Sequence, residues 1–414
     1  MKVIIIGGGA AGMMAALSAR EQGAEVTILE RQARVGKKLL ATGNGRCNLS
    51  NTKLTLKNYH GQDARFADFA LSSFNTEKTL EYFENLGLIT VVESSGKVYP
   101  LSDQAGSVVD VLRLALEEKG VEVRTAFEVT DLKKGKKGGF QISSKEETLQ
   151  ADSVIICCGG MAGAKVGGTQ SGYELLKSMG HTMTKLFPVL VQIKTDATYV
   201  KALKGVRADG AVLVERNGII LAENAGEIQF TDFGVSGPAI FEISRAISTG
   251  KGPMTIHLNL LRNLSHEEVV TLLHNRKKTM PNQTLENFLT GILHNSLGRT
   301  ILRYAGFGFT DPIHTLKASD IKRIAHAIQD FEIPVIGAMG FYAALVTAVC
   351  IRTEEFYHKT MESYLCPNLY AAGEVLDIDG DCGGYNLQWA WASGYLAGRH
   401  AAQQKKSPTP YKKK

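Results

Sequence analysis

Gly7-x-Gly9-x-x-Gly12 stands between Val3-Ile4-Ile5-Ile6, a continuous apolar run, and Met13 to Gln22, where apolar residues recur at helical spacing. An unbroken apolar run is the pattern of a strand covered on both faces. Three glycines at that junction then have separate uses. The first permits a tight turn, the second lets main chain approach a diphosphate, and the third allows close helix packing. Ala10 and Ala11 place N–H groups in the first helical turn, whose positive end faces the anion. Gly23 stops the helix, and Glu25-Val26-Thr27-Ile28-Leu29-Glu30 resumes the strand pattern. Glu30 follows Gly12 by 18 residues, where a carboxylate can accept hydrogen bonds from both hydroxyls of a ribose. An acid rather than a basic residue at position 30 argues against a 2′-phosphate there, and Arg31 beside it is a further cofactor-binding candidate.

The alternation continues downstream. Asn75 or Thr76 can cap a helix to about Asn85, Val108 to Lys119 forms another, and Tyr173 to Met179 a third, ended by Gly180. Val121 to Arg124, Phe140 to Ser143 and Ser153 to Cys158 read as strands, and the alternation implies a mainly parallel sheet. From about Val189 the texture changes. Ala211 to Val214 and Ile219 to Ala222 flank Asn217-Gly218, the strongest short hairpin signal. Glu227 to Thr231 and Met254 to Leu260 alternate at period two, which predicts an antiparallel sheet closed as a small barrel or sandwich. Ser265-His266-Glu267-Glu268 is a capping box, and Ser319 can cap Asp320 to Gln329. Leu369 to Ala372 returns to strand, with a closing helix through Trp389 to Gln403. The economical arrangement is a nucleotide-binding domain interrupted by an inserted β-plus-α region.

Composition narrows the class. Glycine is in excess, 43 of 414 residues, against a usual share of about 7%. The net charge of +6 owes much to the last ten residues, which hold five lysines and no acid, so it says little for a nucleic-acid partner. Cysteines at 47, 157, 158, 350, 366 and 382 show no metal-ligand spacing, which argues against a metal site. The N-terminus opens on a strand with no basic leader, consistent with a cytoplasmic chain holding reduced thiols. Pro334 to Ile351 is long and uncharged, but its proline, glycines and threonine favour buried interior over a membrane helix.

Three more segments distinguish FAD from NAD. Gly36-Lys37-Lys38 through Thr42-Gly43-Asn44-Gly45-Arg46-Cys47-Asn48 offers main-chain amides, hydroxyl, carboxamide and cations suited to a long anionic cofactor. Ser153 to Cys158-Gly159-Gly160 resembles the second flavoprotein fingerprint. Leu369-Tyr370-Ala371-Ala372-Gly373-Glu374 resembles the late flavoprotein strand whose terminal acid meets the ribityl chain. In this order they point to FAD.

Gly43-Asn44-Gly45-Arg46-Cys47-Asn48, Gly234-Val235-Ser236-Gly237-Pro238 and Gly373-Glu374-Val375-Leu376-Asp377-x-x-Gly380-x-x-Gly383-Gly384-Tyr385-Asn386-Leu387-Gln388 together resemble the BaiN-like family of FAD-dependent oxidoreductases, also described as aminoacetone oxidase family enzymes. The resemblance covers nearly the whole chain. It implies an α/β fold: a Rossmann-like FAD-binding domain of the two-dinucleotide-binding-domain flavoprotein type, with an inserted antiparallel β-barrel and a small helical region. The FAD domain would take residues 1–188 and 346–404, the barrel 189–262, and the helical region 263–333 with the barrel resuming to about 345. A basic tail, 405–414, follows. By the same likeness the Glu30 region, with Val129, holds the adenosine side, Gly36 to Asn48 and Gly373-Glu374 line the cofactor, and Gly384-Tyr385-Asn386-Leu387-Gln388 lie against the flavin ring. The helix beginning near Gln388 would stabilise negative charge on a reduced ring.

Two positions depart from the family's pattern. Val349-Cys350 stands where Gly-Gly is common, and Gly167-Gly168-Thr169-Gln170-Ser171-Gly172 has lost an acid. Side chains at 349 and 350 would narrow the space near the isoalloxazine. No acid or base is assigned. Tyr385, Arg46, Cys47 and His60 are candidates by position, and for each a packing, loop-ordering or cofactor-contact role is the weightier reading. The vicinal Cys157-Cys158 pair reads as packing, since adjacency would strain a disulfide. No second complete fingerprint is present, so NAD(P)H as donor would visit the flavin face transiently. The expected activity is hydride transfer between flavin and a small organic substrate, with neither nucleic acid nor membrane as partner. A flavin-dependent tRNA-modifying transferase and a non-turning-over FAD protein are the alternatives. The first predicts a basic, aromatic-bearing insert surface, but Arg262 to Lys278 includes two glutamates and a capping signal.

Overall fold

The computed structural model describes residues 1–135 and 138–403; the basic tail expected at 405–414 lies outside the described residues. Two compact units result: Met1–Phe187 with the chain from Val346 onward, and Pro188–Leu345.

The first unit is built on β1 (Lys2–Ile6), α1 (Ala10–Glu21) and β2 (Glu25–Leu29). β1 pairs in parallel with β2 on one side and with Ser153–Ile156 on the other, so its apolar run has a neighbour along both edges. Leu369–Ala371 and Glu122–Arg124 complete a five-stranded parallel sheet, in the order Leu369–Ala371, Ser153–Ile156, β1, β2, Glu122–Arg124. Phe140–Ser143 corrects the sequence reading. It is the middle strand of a separate antiparallel sheet, between Asp131–Lys134 and Thr148–Ala151. Its alternating burial is the mark of a strand covered on one face, whereas Ser153–Ile156 is buried throughout.

The helix Tyr385–Ala401 lies along α1 at main-chain contact. A Cβ added to Gly394 would come within 2.4 Å of Ala11 O, and one added to Gly398 within 2.1 Å of Ala15 O. Ser18 Oγ donates to Tyr395 O at 2.8 Å. This helix starts earlier than expected, at Tyr385, because left-handed Gly384 (φ +98°) turns the chain directly into it. Likewise Ser319 lies inside the helix Ala318–Gln329, and Asp320 Oδ2 accepts the Lys317 N–H at 2.8 Å instead.

In this unit His181 is buried with its ring stacked on Phe356 at 4.4 Å. Nδ1 lies 2.9 Å from Glu355 Oε2 and Nε2 2.9 Å from Ser363 Oγ, which also accepts the Leu365 and Cys366 N–H groups. A neutral imidazole satisfies every one of these: Nδ1–H donates to Glu355 and the Ser363 hydroxyl donates to Nε2. Burial holds the His181 pKa below its ordinary value, against the opposing pull of Glu355. A histidine with a lowered folded pKa binds fewer protons folded than unfolded, so stability present above about pH 6.5 is lost as the pH falls toward the folded pKa. Denaturant unfolding should therefore show lower stability at about pH 5.5 than at about 7.5, and His181→Gln should flatten that difference. An unchanged pH profile in the variant would remove His181 as the cause.

The second unit is a closed barrel in the order Ile193–Thr195, Gly234–Ser236, Ile219–Phe230, Arg207–Arg216, Thr255–Asn259, Phe331–Ala338. Asn217 (φ +53°) and Gly218 (φ +79°) form the hairpin turn as read, both left-handed. The Ser265–Glu268 capping box opens His266–Thr279, with Glu268 Oε2 accepting Ser265 N at 2.7 Å. Pro334 to Ile351 is not uniformly interior, because Ile336, Tyr342 and Leu345 are exposed. Among the described residues no helix is long and apolar enough to cross a membrane.

Candidate functional site

The turn between β1 and α1 explains each glycine in steric terms. A Cβ on Gly7 would lie 2.5 Å from Cys157 O, and one on Gly12 would lie 1.9 Å from Gly7 O. A Cβ on Gly9 would meet nothing within 4 Å. Gly7 and Gly12 are therefore required by the protein itself, while Gly9 borders open space. Gly9 is also the N-cap of α1, with no side-chain cap and no acid in the first turn, so the Ala10 and Ala11 end of the helix keeps its positive charge for an outside anion. Glu30 is fixed beside it: Oε2 accepts Gly8 N at 2.7 Å and Oε1 accepts Gln32 N at 2.8 Å. Each oxygen takes one main-chain N–H and retains a lone pair for a ribose hydroxyl. The stretch leading to buried Val129 runs alongside, with Ala126 N donating to Gln32 O and Phe127 N to Glu30 O, both at 2.9 Å.

Distant segments meet at the same helix end. Gly36 N donates to Gly8 O at 2.8 Å, which ties the Gly36–Asn48 loop to the turn. Lys38 Nζ reaches Glu374 Oε2 at 2.6 Å, and Glu374 Oε1 accepts Thr347 N at 2.9 Å. A Cβ on Gly160 would sit 2.6 Å from Glu374 Oε1, and one on Gly373 would sit 2.9 Å from Ala11 Cβ. Arg31 Nη2 donates to Gly167 O and Gly168 O at 3.1 and 3.2 Å, and Lys37 Nζ to Gln32 Oε1 at 2.9 Å. Gly9 to Gly12, Glu30, Lys38, Gly159-Gly160 and Gly373-Glu374 are thus brought together.

Other expected residues serve the loop. Arg46 lies over the Tyr99 ring, 3.9 Å from its centroid, and pairs with Glu93 and Asp103. Thr42 Oγ1 donates to Leu39 O at 2.6 Å. Cys47 is buried in a left-handed conformation, and burial pushes its pKa up to about 12, so it is a neutral thiol rather than a nucleophile. Cys158 is likewise pushed up to about 12 by burial, its Sγ 3.5 Å from Ile6 O. None of the six cysteines is in a disulfide.

Gly43 and Gly45 flank the left-handed Asn44, letting the loop fold back so that Cys47 N donates to Thr42 O at 3.0 Å. The Asn48 carboxamide, with its nitrogen toward Ser50 O and Val98 O, accepts the Gly384 N–H at 3.2 Å. Beyond Gly384 the helix Tyr385–Ala401 again begins with no side-chain cap and no acid in its first turn. Tyr385 meets Tyr59 edge-on at 6.3 Å, and Tyr59 OH donates to Tyr385 O at 3.0 Å. Asn386 brackets Gly380, accepting its N–H at 2.9 Å and donating to its O at 2.7 Å. Gln388 is fully buried; Nε2 donates to Phe74 O and Thr79 Oγ1, and Oε1 accepts from Ser50 Oγ. The Asn386 and Gln388 side chains are therefore committed to the protein. Gly384, Tyr385 and Leu387 stand at the N-terminal, positive end of that helix.

Asp381 and Thr347 escaped the sequence reading. His60 Nε2 lies 2.7 Å from Asp381 Oδ1, on Tyr59–His60, which pairs with Asp379–Gly380. Asp381 falls at an unspecified position of the Gly380-x-x-Gly383 motif, the only signal it gave. Thr347 Oγ1 accepts Ala162 N at 2.9 Å and lies where a Cβ on Gly160 would come within 2.5 Å of it. The two family departures adjoin: Cys350 is buried with Sγ 3.3 Å from the hydroxyl of Tyr173, which follows Gly172. Cys350 thus packs inward. Val349 is left-handed (φ +59°), a strained conformation for a β-branched residue.

An uncapped helix end facing open space, a ribose acceptor, glycine turns without room for side chains and a second uncapped helix fit the phosphates, ribose and ring of FAD. The family described as HI0933-like protein Rossmann domain matches residues 1–400. The 3-dehydro-bile acid delta(4,6)-reductase of Clostridium scindens is 41% identical over 408 residues, 97% of this chain and 99% of that protein. The ribosomal RNA dihydrouridine synthase of Escherichia coli (strain K12) is 29% identical over 408 residues, 98% of each. Among solved structures, the 3-ketosteroid-delta4-(5alpha)-dehydrogenase of Rhodococcus jostii RHA1 is similar with a TM-score of 0.48 at 14% identity, covering 97% of this chain and 96% of that one. The chain belongs to the HI0933-like Rossmann family and is an FAD-dependent oxidoreductase.

Proposed function

We propose that this protein reduces a carbon–carbon double bond conjugated to a carbonyl in a small organic substrate, with NAD(P)H as a transient electron donor. The full-length likeness to a bile-acid reductase at 41% identity carries the reading. The more distant relative's name points to related bond chemistry, since dihydrouridine is uridine with the ring double bond of its base saturated. Bound FAD would supply hydride transfer at the ring. The chain's own residues would bind and orient: the Ala10 and Ala11 N–H groups hold the diphosphate, Glu30 a ribose, and Glu374 with Lys38 the segment between diphosphate and ring. The open first turn at Tyr385 favours negative charge on a bound ring. His60, partly exposed, is held by Asp381 on the strand pair Tyr59–His60 and Asp379–Gly380, next to that turn.

An RNA substrate is the second reading, favoured by the Escherichia coli relative. Cations of the Arg262–Lys278 stretch are largely engaged within the protein: Arg262 with Asp209, Arg276 with Phe288 O and Lys277 with Leu316 O. The test is anaerobic mixing of purified protein with NADH and NADPH, followed by a 3-oxo-4-ene steroid or by unmodified ribosomal RNA. Flavin absorbance should bleach with a nicotinamide and return with the enone. Return with RNA alone would favour the second reading. Absorbance that persists with both donors would leave a flavin carrier without turnover.

A further inference from the structure

Glu374 places a carboxylate in a site that otherwise attracts anions. Its neighbour Gly373 packs against Ala11 in the first turn of α1, the turn that offers uncapped N–H groups to a diphosphate. The carboxylate is mostly buried, about 19% exposed, and main-chain N–H groups do not neutralise it: Thr347 N supplies one hydrogen bond and no charge. Among the described residues the cation paired with it is Lys38, reaching across 336 residues of sequence to 2.6 Å. Arg31 Nη2 donates instead to Gly167 O and Gly168 O, and Lys37 Nζ to Gln32 Oε1.

We propose that Lys38 is the counter-charge that allows an ionised Glu374 and a dinucleotide diphosphate to occupy one site. The inference rests on the FAD reading above and deepens it. Glu374 is useful to the cofactor as a hydrogen-bond acceptor, yet its charge repels the same molecule's phosphates in a partly desolvated space. Lys38 removes the repulsion without removing the acceptor. The pair therefore acts as a unit, and the penalty for losing the cation depends on the carboxylate being present.

The experiment is an FAD titration of full-length protein stripped of flavin, followed by flavin fluorescence, for wild type, Lys38→Met, Glu374→Gln and the double variant, with circular dichroism on each. Lys38→Met should weaken FAD binding about tenfold or more at low salt, and the loss should shrink as salt rises. The double variant should bind FAD no worse than about threefold below Glu374→Gln alone, because the charge that Lys38 opposes is gone. Lys38→Arg, which keeps the charge, should bind within about threefold of wild type. Wild-type affinity in Lys38→Met, or losses that multiply in the double variant, overturns the counter-charge role in favour of a direct or absent contact. Wild-type chain that takes up no FAD at all overturns the FAD reading itself.

Discussion

Gly9→Val should abolish FAD binding and leave the fold standing. Gly9 has β-region dihedrals (φ −83°, ψ −167°) that valine adopts readily, and its Cβ would meet no protein atom within 4 Å. Losing glycine at an N-cap should cost the apo protein less than about 1 kcal/mol. The same side chain would fill the space before the first turn of α1, where phosphate oxygens must reach the Ala10 and Ala11 N–H groups. A loss of about a hundredfold in affinity, near 2.7 kcal/mol, is expected at minimum. FAD titration reads the loss, and denaturant unfolding of the apo protein reads the intact fold. Gly12→Ala is the contrast, because its methyl would sit 1.9 Å from Gly7 O and must displace the turn itself, so it should lose stability and cofactor together. Unchanged FAD affinity in Gly9→Val would contradict the assigned pocket.

The second large effect is expected at Gly398→Leu. Position 398 faces Ala15 so closely that even a Cβ would be 2.1 Å from its carbonyl oxygen, and main chain cannot rotate away as a side chain would. The helix Tyr385–Ala401 would have to move off α1, exposing residues buried in both. A loss of about 3 kcal/mol or more is expected. The displaced α1 should lower FAD affinity as well, although Gly398 is remote from the fingerprint in sequence. Arg399→Ala, an exposed neighbour bonded to Tyr395 OH, should change stability by less than about 0.5 kcal/mol. Equal unfolding midpoints for the two variants would refute the close packing of these helices.

What could be read from sequence was what chemistry writes locally. The Gly7 to Gly12 turn, the Asn217-Gly218 hairpin and the Ser265–Glu268 box each depend on residues a few positions apart, and each appears where its spacing put it. Phe140–Ser143 was assigned to the wrong sheet because a short strand shows its burial but not its neighbours. The closing helix was begun late because Tyr385, Asn386 and Leu387 look like motif rather than helix until Gly384 is seen to turn the chain. Lys38 with Glu374 and His60 with Asp381 span 336 and 321 residues, and nothing local marks either partnership. The identity of Gln388 suggested a ligand contact, while its burial against Phe74, Thr79 and Ser50 shows a structural tie that no spacing rule reveals.

The order of pieces along the chain has a biosynthetic consequence. α1 leaves the ribosome long before its mate: Ser18 waits for Tyr395, 377 residues later, and β1 gains the outermost strand beyond Ser153–Ile156 only when Leu369–Ala371 has been made. At about 5–20 residues per second, a largely apolar helix stays without its mate for roughly 20–75 s of translation. A nascent polypeptide in that condition should depend on holdase chaperones until the helix Tyr385–Ala401 emerges, and products truncated before it should aggregate rather than accumulate as a soluble half-domain.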